Sequence, residues 1–216
     1  MNTLHRLLAI PVLALTVATV NAGTFANITL DGDSSDWSGI AASATNTNGG
    51  PIDQIFIANN GTYVFIRVTF NTPVNFLTGS FYLAIDNDSN AGTGFNVYNQ
   101  GVIFSEVGYS GENAFQQAAG IFNTGATTNA AILASPYGAA TTSQEFGIAL
   151  TAIINTSTNA LVFPNSSFNL AAYVDNGGSI IAGPGAYTLA AVPEPSTCAA
   201  LAGLGVLALA VVRRRR

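Results

Sequence analysis

The 216-residue chain has no lysine, one histidine (His5) and one cysteine (Cys198), and five of its six arginines lie at the two ends. Between residues 23 and 192 there is no His, Cys or Lys, and Arg67 is the only base. Without cysteine this stretch forms no disulfide, even in a compartment that permits one. Without His, Cys or Lys it holds no His-assisted serine or cysteine triad, no His-ligated zinc and no Schiff base. Only paired carboxylates remain as acid–base catalysts, and a glycosidase needs two of them about 5–9.5 Å apart. No E-x-x-E or D-x-E cluster in an aromatic setting marks such a pair. The expectation is a domain that is not an enzyme, with a carboxylate-only glycosidase as the minor alternative.

Charge is scarce, at 8% of residues, and one-sided. The stretch 23–192 carries ten acids (Asp31, Asp33, Asp36, Asp53, Asp86, Asp88, Glu106, Glu112, Glu145 and Asp175) against one base, a formal charge of −9. The whole-chain value of −5 conceals this, because the other five bases sit in the terminal segments. Such a surface repels nucleic-acid phosphates and anionic lipids, so no nucleic-acid partner is expected. It suits neutral glycans, or anionic ones through a bridging cation.

The ends are the most specific part of the sequence. Pro193-Glu194-Pro195 breaks any sheet or helix. Residues 196–212 then form a 17-residue span that is apolar from Cys198, and Arg213, Arg214, Arg215 and Arg216 close the chain. A helix of that length nearly crosses a bilayer core of about 30 Å. The arginines would stay on the cytoplasmic side. Cys198 reads as a small apolar residue, with lipidation the lesser alternative. At the other end, His5 and Arg6 precede an apolar stretch from Leu7 to Val20, and Val20-Asn21-Ala22 supplies small residues for cleavage before Gly23.

The C-terminal tail resembles the PEP-CTERM sorting signal of Gram-negative bacteria: a Pro-Glu-Pro motif, an apolar span and a basic cluster, in that order. The resemblance implies recognition by an exosortase in the inner membrane, loss of the tail, and delivery to the cell surface or extracellular matrix of bacteria that make exopolysaccharide. The expected organisation is a signal peptide at 1–22, a β-sandwich domain at 23–191 and the sorting signal with its transmembrane helix at 192–216. The Sec translocon and signal peptidase are the implied early partners, and the inner membrane holds the precursor.

The middle, roughly 170 residues, is one domain's worth. Its apolar runs are short and separated by turn signals such as Asn60-Gly61, Ser110-Gly111 and Pro184-Gly185. Strands are predicted at Phe25–Leu30, Gln54–Ala58, Thr62–Phe70, Gly79–Asp86, Gly101–Tyr109, Asn129–Ser135, Gln144–Leu150, Phe168–Asp175 and Ala186–Ala190. Residues 41–50 read as a loop, and 150–155 as a short helical turn. In the third strand Val64, Ile66, Val68 and Phe70 share one face, while Tyr63, Phe65, Arg67 and Thr69 share the other. Apolar groups on both faces suit a strand packed on both sides. The pattern predicts an all-β, antiparallel β-sandwich of jelly-roll-like form.

Four segments, ITLDGDSSDWSG (28–39), IANNGTYVFIRV (57–68), FYLAIDNDSNAGTGF (81–95) and QEFGIAL (144–150), together resemble family-9-type carbohydrate-binding and DOMON-like sandwich domains. Those domains open with a similar DG…DW turn, carry a DxDxN…TGY loop, and begin a later strand with a glutamate, here Glu145. The resemblance implies a sandwich that binds sugar through aromatic platforms, since ring faces pack on sugar C–H groups. Trp37, the only tryptophan, reads better as packing over the sandwich edge. Tyr98, Tyr109, Tyr137, Tyr173 and Tyr187 are the remaining candidates for a platform, or else core residues.

The clearest chemical constellation is Asp86-Asn87-Asp88-Ser89-Asn90. Side chains at Asp86, Asp88 and Asn90 can converge in a tight loop and offer the hard oxygens that calcium takes. The loop is not an EF-hand, because Ala91 and Val97 stand where that motif needs glycine and glutamate. Three ligands fall short of calcium's six to eight, so backbone carbonyls, water or a distant carboxylate such as Glu106 must complete the shell. The alternative is an Asx-rich turn whose carboxylates cap backbone amides. Asp31, Asp33 and Asp36 pose the same choice beside Trp37. Arg67 is expected to pair with a carboxylate across the sheet, or else to grip a ligand. The N-x-S/T matches at Asn27, Asn60, Asn87, Asn155 and Asn165 read as chance in an Asn/Thr/Ser-rich chain. Two functions survive: a non-catalytic module that holds exopolysaccharide, and a structural or adhesive surface protein.

Overall fold

The structure is a computed structural model that describes residues 23–47, 49–78, 81–174, 179–180 and 184–193, with 179–180 described for backbone only. The predicted signal peptide, Glu194, Pro195, the apolar span and the arginine cluster lie outside the described residues. Among the described residues no helix is long and apolar enough to cross a membrane.

The described residues form an all-β fold with two short 3-10 turns, Ser34–Trp37 and Val97–Asn99. In chain order the strands are β1 (Ala42–Thr45), β2 (Ile52–Asn59), β3 (Tyr63–Val74), β4 (Tyr82–Asp86), β5 (Phe95–Asn96), β6 (Phe104–Ser105), β7 (Val107–Ser110) and β8 (Asn113–Gln116). There follow β9 (Ile132–Ser135), β10 (Thr141–Ala149), β11 (Ile153–Asn155), β12 (Ala160–Leu161), β13 (Ser167–Val174), β14 (Ser179–Ile180) and β15 (Gly185–Thr188). The first sheet has the order β1-β2-β3-β10-β9. The second runs β14-β13-β4-β7-β8, and β15 also pairs with β13. The ladders within both sheets are antiparallel.

The two sheets enclose one core. Ile55, Ile57, Val64, Ile66, Val68, Phe146 and Ile148 come from the first sheet, and Leu83, Ile85, Val107, Leu170 and Ala172 from the second. The alternation of β3 is realised on both faces. Val64, Ile66, Val68 and Phe70 enter this core, while Phe65 joins Ile28, Trp37 and Ala58 in a second cluster on the outer face. The segment around residues 26–40 supplies the cover for that face, which explains why β3 is apolar on both sides.

Four expectations need correction. Phe25–Leu30 is not a strand. It makes one isolated bridge, Phe25 to Asn59, and seats Ile28 on the outer face of the first sheet. The loop read at 41–50 contains β1, whose small residues pair with β2 across a register shift. The helical turn read at 150–155 is a turn followed by β11, which pairs with β12 and bridges to Asn129. The strand read at 101–109 is split into β6 and β7 around Glu106, and β8 beyond it was not predicted.

Both ends of the sandwich are fixed at one corner. The Gly23 amide donates to the Thr188 carbonyl at 2.7 Å, and the Ala190 amide donates to Asn59 Oδ1 at 2.8 Å. Ala191, Val192 and Pro193 are exposed, Val192 by 55%.

Candidate functional site

The chain between β4 and β7 leaves the second sheet at Asp86 and returns at Glu106. It first makes the Asp86–Asn90 loop, then the β5–β6 ladder. The return brings Glu106 to the loop, and carboxylate oxygens of Asp86, Asp88 and Glu106 lie within 4.8 Å of one another. Asp86 is buried and Asp88 exposed, with Glu106 between them in exposure.

Most oxygens in this cluster also cap the loop. Asp86 Oδ1 accepts the Ser89 amide at 2.6 Å, and Asp86 Oδ2 accepts Asn169 Nδ2 at 3.2 Å. Asp88 Oδ1 accepts the Asn90 amide, and Glu106 Oε2 accepts the Asn87 amide. Asn90 Oδ1 accepts the Gly92 amide at 3.0 Å. The structure thus brings Asp86 and Asp88 together with Glu106, and turns the Asn90 amide oxygen back onto its own loop. Glu106 is the distant carboxylate named from the sequence, and it lies beside the other two.

One residue in the cluster shows an imbalance. Thr93 Oγ1 lies 2.9 Å from Asp88 Oδ2, 2.8 Å from the Asn90 carbonyl and 3.1 Å from Glu106 Oε1. A hydroxyl has one proton, so it satisfies one of the three acceptors and leaves oxygen facing oxygen at the others. A proton on Glu106 or a cation among the oxygens relieves this. Burial, and then the charges of Asp88 and Asp86, push the Glu106 pKa up to about 7, against the opposing hydrogen bonds from Asn87 and Thr93. Chemically the cluster can hold a proton or a divalent cation. Its three carboxylates, the Asn90 carbonyl and Thr93 Oγ1 are the hard oxygen donors that calcium takes.

The second acidic group has a structural use. Asp33 caps the 3-10 turn through the Ser35 amide, and Asp36 Oδ2 accepts the Thr29 amide at 2.8 Å. These bonds present Trp37 inward, only 3% exposed. Trp37 Nε1 donates to Glu145 Oε1 at 2.8 Å, and the Gly32 amide donates to Glu145 Oε2 at 2.9 Å. Glu145 is 1% exposed and stands opposite Arg67 in the β3–β10 register. Burial raises the Glu145 pKa, while its two hydrogen bonds and Arg67 act to lower it. Arg67 Nε donates to Ser143 Oγ at 2.8 Å, and its guanidinium lies 5.2 Å over the Phe56 ring. The Arg67–carboxylate relation across the sheet is thus electrostatic and held at register distance, with the direct hydrogen bond going to a serine. Three of the four segments that carried the sandwich resemblance meet in this lock.

The tyrosines divide by exposure. Tyr109, Tyr173 and Tyr187 are buried, which removes them as ready platforms. Tyr98 and Tyr137 are exposed, by 37% and 62%. They belong to different clusters: Tyr137 packs on Phe76 and donates to Glu112, whereas Tyr98 packs on Tyr82 and Tyr173. Sequence reasoning missed Phe122, which is 48% exposed and also packs on Tyr82. It missed Thr93 too; the T-G of the "TGF" segment was the available signal.

Residues 191–216 match the PEP-CTERM protein-sorting motif. The match begins one residue after Ala190, whose amide is held by Asn59. No curated protein matches the chain. The chain therefore carries the address of an exosortase-processed, exported surface protein that is anchored transiently in the membrane. The match covers the tail.

Proposed function

We propose that the body of this protein is a non-catalytic module that binds neutral polysaccharide at the cell surface or in the extracellular matrix, with a calcium ion bracing its Asp86–Glu106 cluster. The sorting motif at 191–216 is the observation that carries the setting. The absence of His, Cys and Lys from residues 23–192 supports a binding role over catalysis. The carboxylates close enough to act as a pair are engaged by the Ser89, Asn90 and Asn87 amides and by Thr93. That favours a loop brace over a glycosidase pair. The Thr93 hydroxyl among three acceptors favours a cation there.

The test is retention of the protein on immobilised neutral and anionic polysaccharides, with calcium and with chelator, alongside an assay for reducing ends. Retention without turnover is the expected result. Turnover abolished by Glu106→Gln would reverse the non-catalytic reading. Absence of retention on every neutral glycan would leave the structural or adhesive role in its place.

A further inference from the structure

The outer face of the second sheet carries an aromatic patch that none of the preceding roles uses. Tyr82 on β4, Phe115 on β8 and Tyr173 on β13 form its floor, together with Ala84 and Ala171. Tyr82 lies flat because Gly108 beneath it has no side chain; a Cβ there would collide with the Tyr82 hydroxyl and lie 2.7 Å from Phe115. The β4–β7 excursion lays Phe95 and Tyr98 over this floor, and the turn after β8 lays Phe122 beside them. Tyr98 packs on Tyr173 at 5.3 Å and on Tyr82 at 6.0 Å between ring centroids. Phe122 packs on Phe115 at 4.8 Å and on Tyr82 at 6.1 Å. Tyr98, Ile121 and Phe122 nevertheless remain 37%, 48% and 48% exposed.

The hydroxyls under the patch are unequal. Tyr82 Oη donates to Gln117 Oε1 at 2.9 Å, and the buried Ser105 hydroxyl donates to the same oxygen. Tyr173 is fully buried, and its hydroxyl, like that of Tyr109 in the main core, has no partner among the described residues. A buried hydroxyl without a partner is costly, and a tyrosine that serves only packing would do as well as phenylalanine. The Tyr98 ring is what packs over Tyr173. Tyr98 is also held at a φ of 50°, in the left-handed region that a bulky residue seldom adopts.

We propose that Tyr98 and Phe122 form a sugar platform for a neutral polysaccharide, and that a ligand hydroxyl pairs with the Tyr173 hydroxyl when Tyr98 shifts. This rests on the glycan-binding reading above and gives it a site. Sugar rings present apolar C–H faces and hydroxyls together, which matches exposed aromatic rings over an unpaired buried hydroxyl. The −9 formal charge of residues 23–192 selects an uncharged polymer over an acidic one.

The experiment uses the full-length chain in mild detergent on immobilised dextran, a β-glucan and a mannan, with alginate as the anionic comparator. The variants are Tyr98→Asn, which tolerates the left-handed backbone, Phe122→Ser, Tyr173→Phe, and Tyr137→Ser as a control. Each platform variant should weaken retention by roughly three- to tenfold, the span expected of one aromatic contact. Tyr173→Phe should weaken retention while leaving the melting temperature unchanged or higher, and Tyr137→Ser should bind as wild type. Wild-type retention that all three platform variants preserve overturns the site and leaves the glycan reading standing. Failure of the wild type on every neutral glycan overturns the reading itself. Stronger retention on alginate overturns the neutral-polymer assignment. If the same substitutions instead convert an oligomer to a monomer with retention unchanged, the patch belongs to a second copy and the proposal is refuted.

Discussion

Glu145→Gln tests whether the Trp37 turn is a structural lock. Glu145 is 1% exposed and each of its oxygens accepts one hydrogen bond, from Trp37 Nε1 at 2.8 Å and from the Gly32 amide at 2.9 Å. Glutamine keeps the shape but turns one oxygen into a donor. One of the two N–H groups then faces an N–H, and the other bond loses its charge. Bonds to a charged acceptor contribute about 1.5–3 kcal/mol each. Part of that loss is offset because a buried charge no longer has to be desolvated. The expected cost is about 2–3 kcal/mol, or about 4–12 °C in Tm for a domain of this size. Trp37→Phe removes the indole donor from the other side. The double variant should be less destabilised than the sum of the singles, with a coupling of at least about 1 kcal/mol. Thermal melts followed by circular dichroism measure all four proteins. Trp37, the only tryptophan, adds a fluorescence readout in the two that retain it, with redder emission in Glu145→Gln. The raised Glu145 pKa sets a sign as well: the stability that a proton on Glu145 adds to the fold is complete at low pH and is lost as pH rises through the folded-state value. A Glu145→Gln Tm within 1–2 °C of wild type, or strictly additive singles, would refute the lock; such shifts are on the order of measurement scatter.

Other outcomes follow from the tail and the carboxylate cluster. The exported protein's mass should lack Cys198 to Arg216, and Glu194→Ala should leave the tail attached; recovery of the whole tail on exported wild type would contradict the sorting role. Calcium at about 1 mM should stabilise the wild type by about 0.4–1.4 kcal/mol if the site binds at roughly 0.1–1 mM. Asp88→Asn should lose most of that gain, and identical melts in calcium and chelator would eliminate the ion. In chelator, the Glu106 contribution should be complete below pH 4.5 and lost as pH rises toward about 7, because the folded state favours the protonated form. Calcium should flatten that fall, and a stability that rises with pH over this window in chelator would reverse the assignment. Gly94→Ala should cost about 1–3 kcal/mol, since its Cβ would collide with the Phe104 carbonyl and sit 2.7 Å from Glu106 Oε1; proteolysis within 87–105 reports the damage, and unchanged resistance would argue against it.

The antiparallel core was legible because period-two alternation is a local signal. β3 and β10 show it plainly, and both of their inward faces are buried. The Asp86–Asn90 loop was legible for a similar reason: carboxylates spaced by one residue in a turn converge whatever surrounds them. What was not legible depended on contacts distant in sequence. Phe25–Leu30 alternates like a strand, yet β1 and β2 form the ladder at that edge, and the segment instead lies over the outer face of the sheet. Nothing local marks Glu145 as the acceptor for Trp37, 108 residues away. The same holds for Tyr98 and Phe122, which meet only because both pack on Tyr82.

The carboxylate cluster and the aromatic patch are two ends of one piece of chain. Asp86 and Asp88 stand where the excursion leaves β4, and Glu106 where it rejoins at β7. Between them the chain pairs with itself through the two-residue ladder Phe95–Ser105 and Asn96–Phe104, extended by one backbone bond from the Val97 amide to the Ile103 carbonyl. A two-residue ladder is marginal alone, so closing the excursion at its base matters more than its own pairing. Three carboxylates at that base repel one another and weaken the closure unless a proton or a cation intervenes. A cation fits that place because Thr93 Oγ1 has one proton for three acceptors there. The excursion carries Val97 into the floor of the patch and Tyr98 onto its surface. An ion at Asp86, Asp88 and Glu106 would therefore anchor the excursion that carries Tyr98 without touching a ligand, leaving the Tyr98 ring to shift about its own side-chain bonds. Calcium dependence of glycan retention would then appear in wild type and in Tyr137→Ser, but vanish in Asp88→Asn, which separates a brace from a direct metal–sugar contact when retention itself survives in that variant.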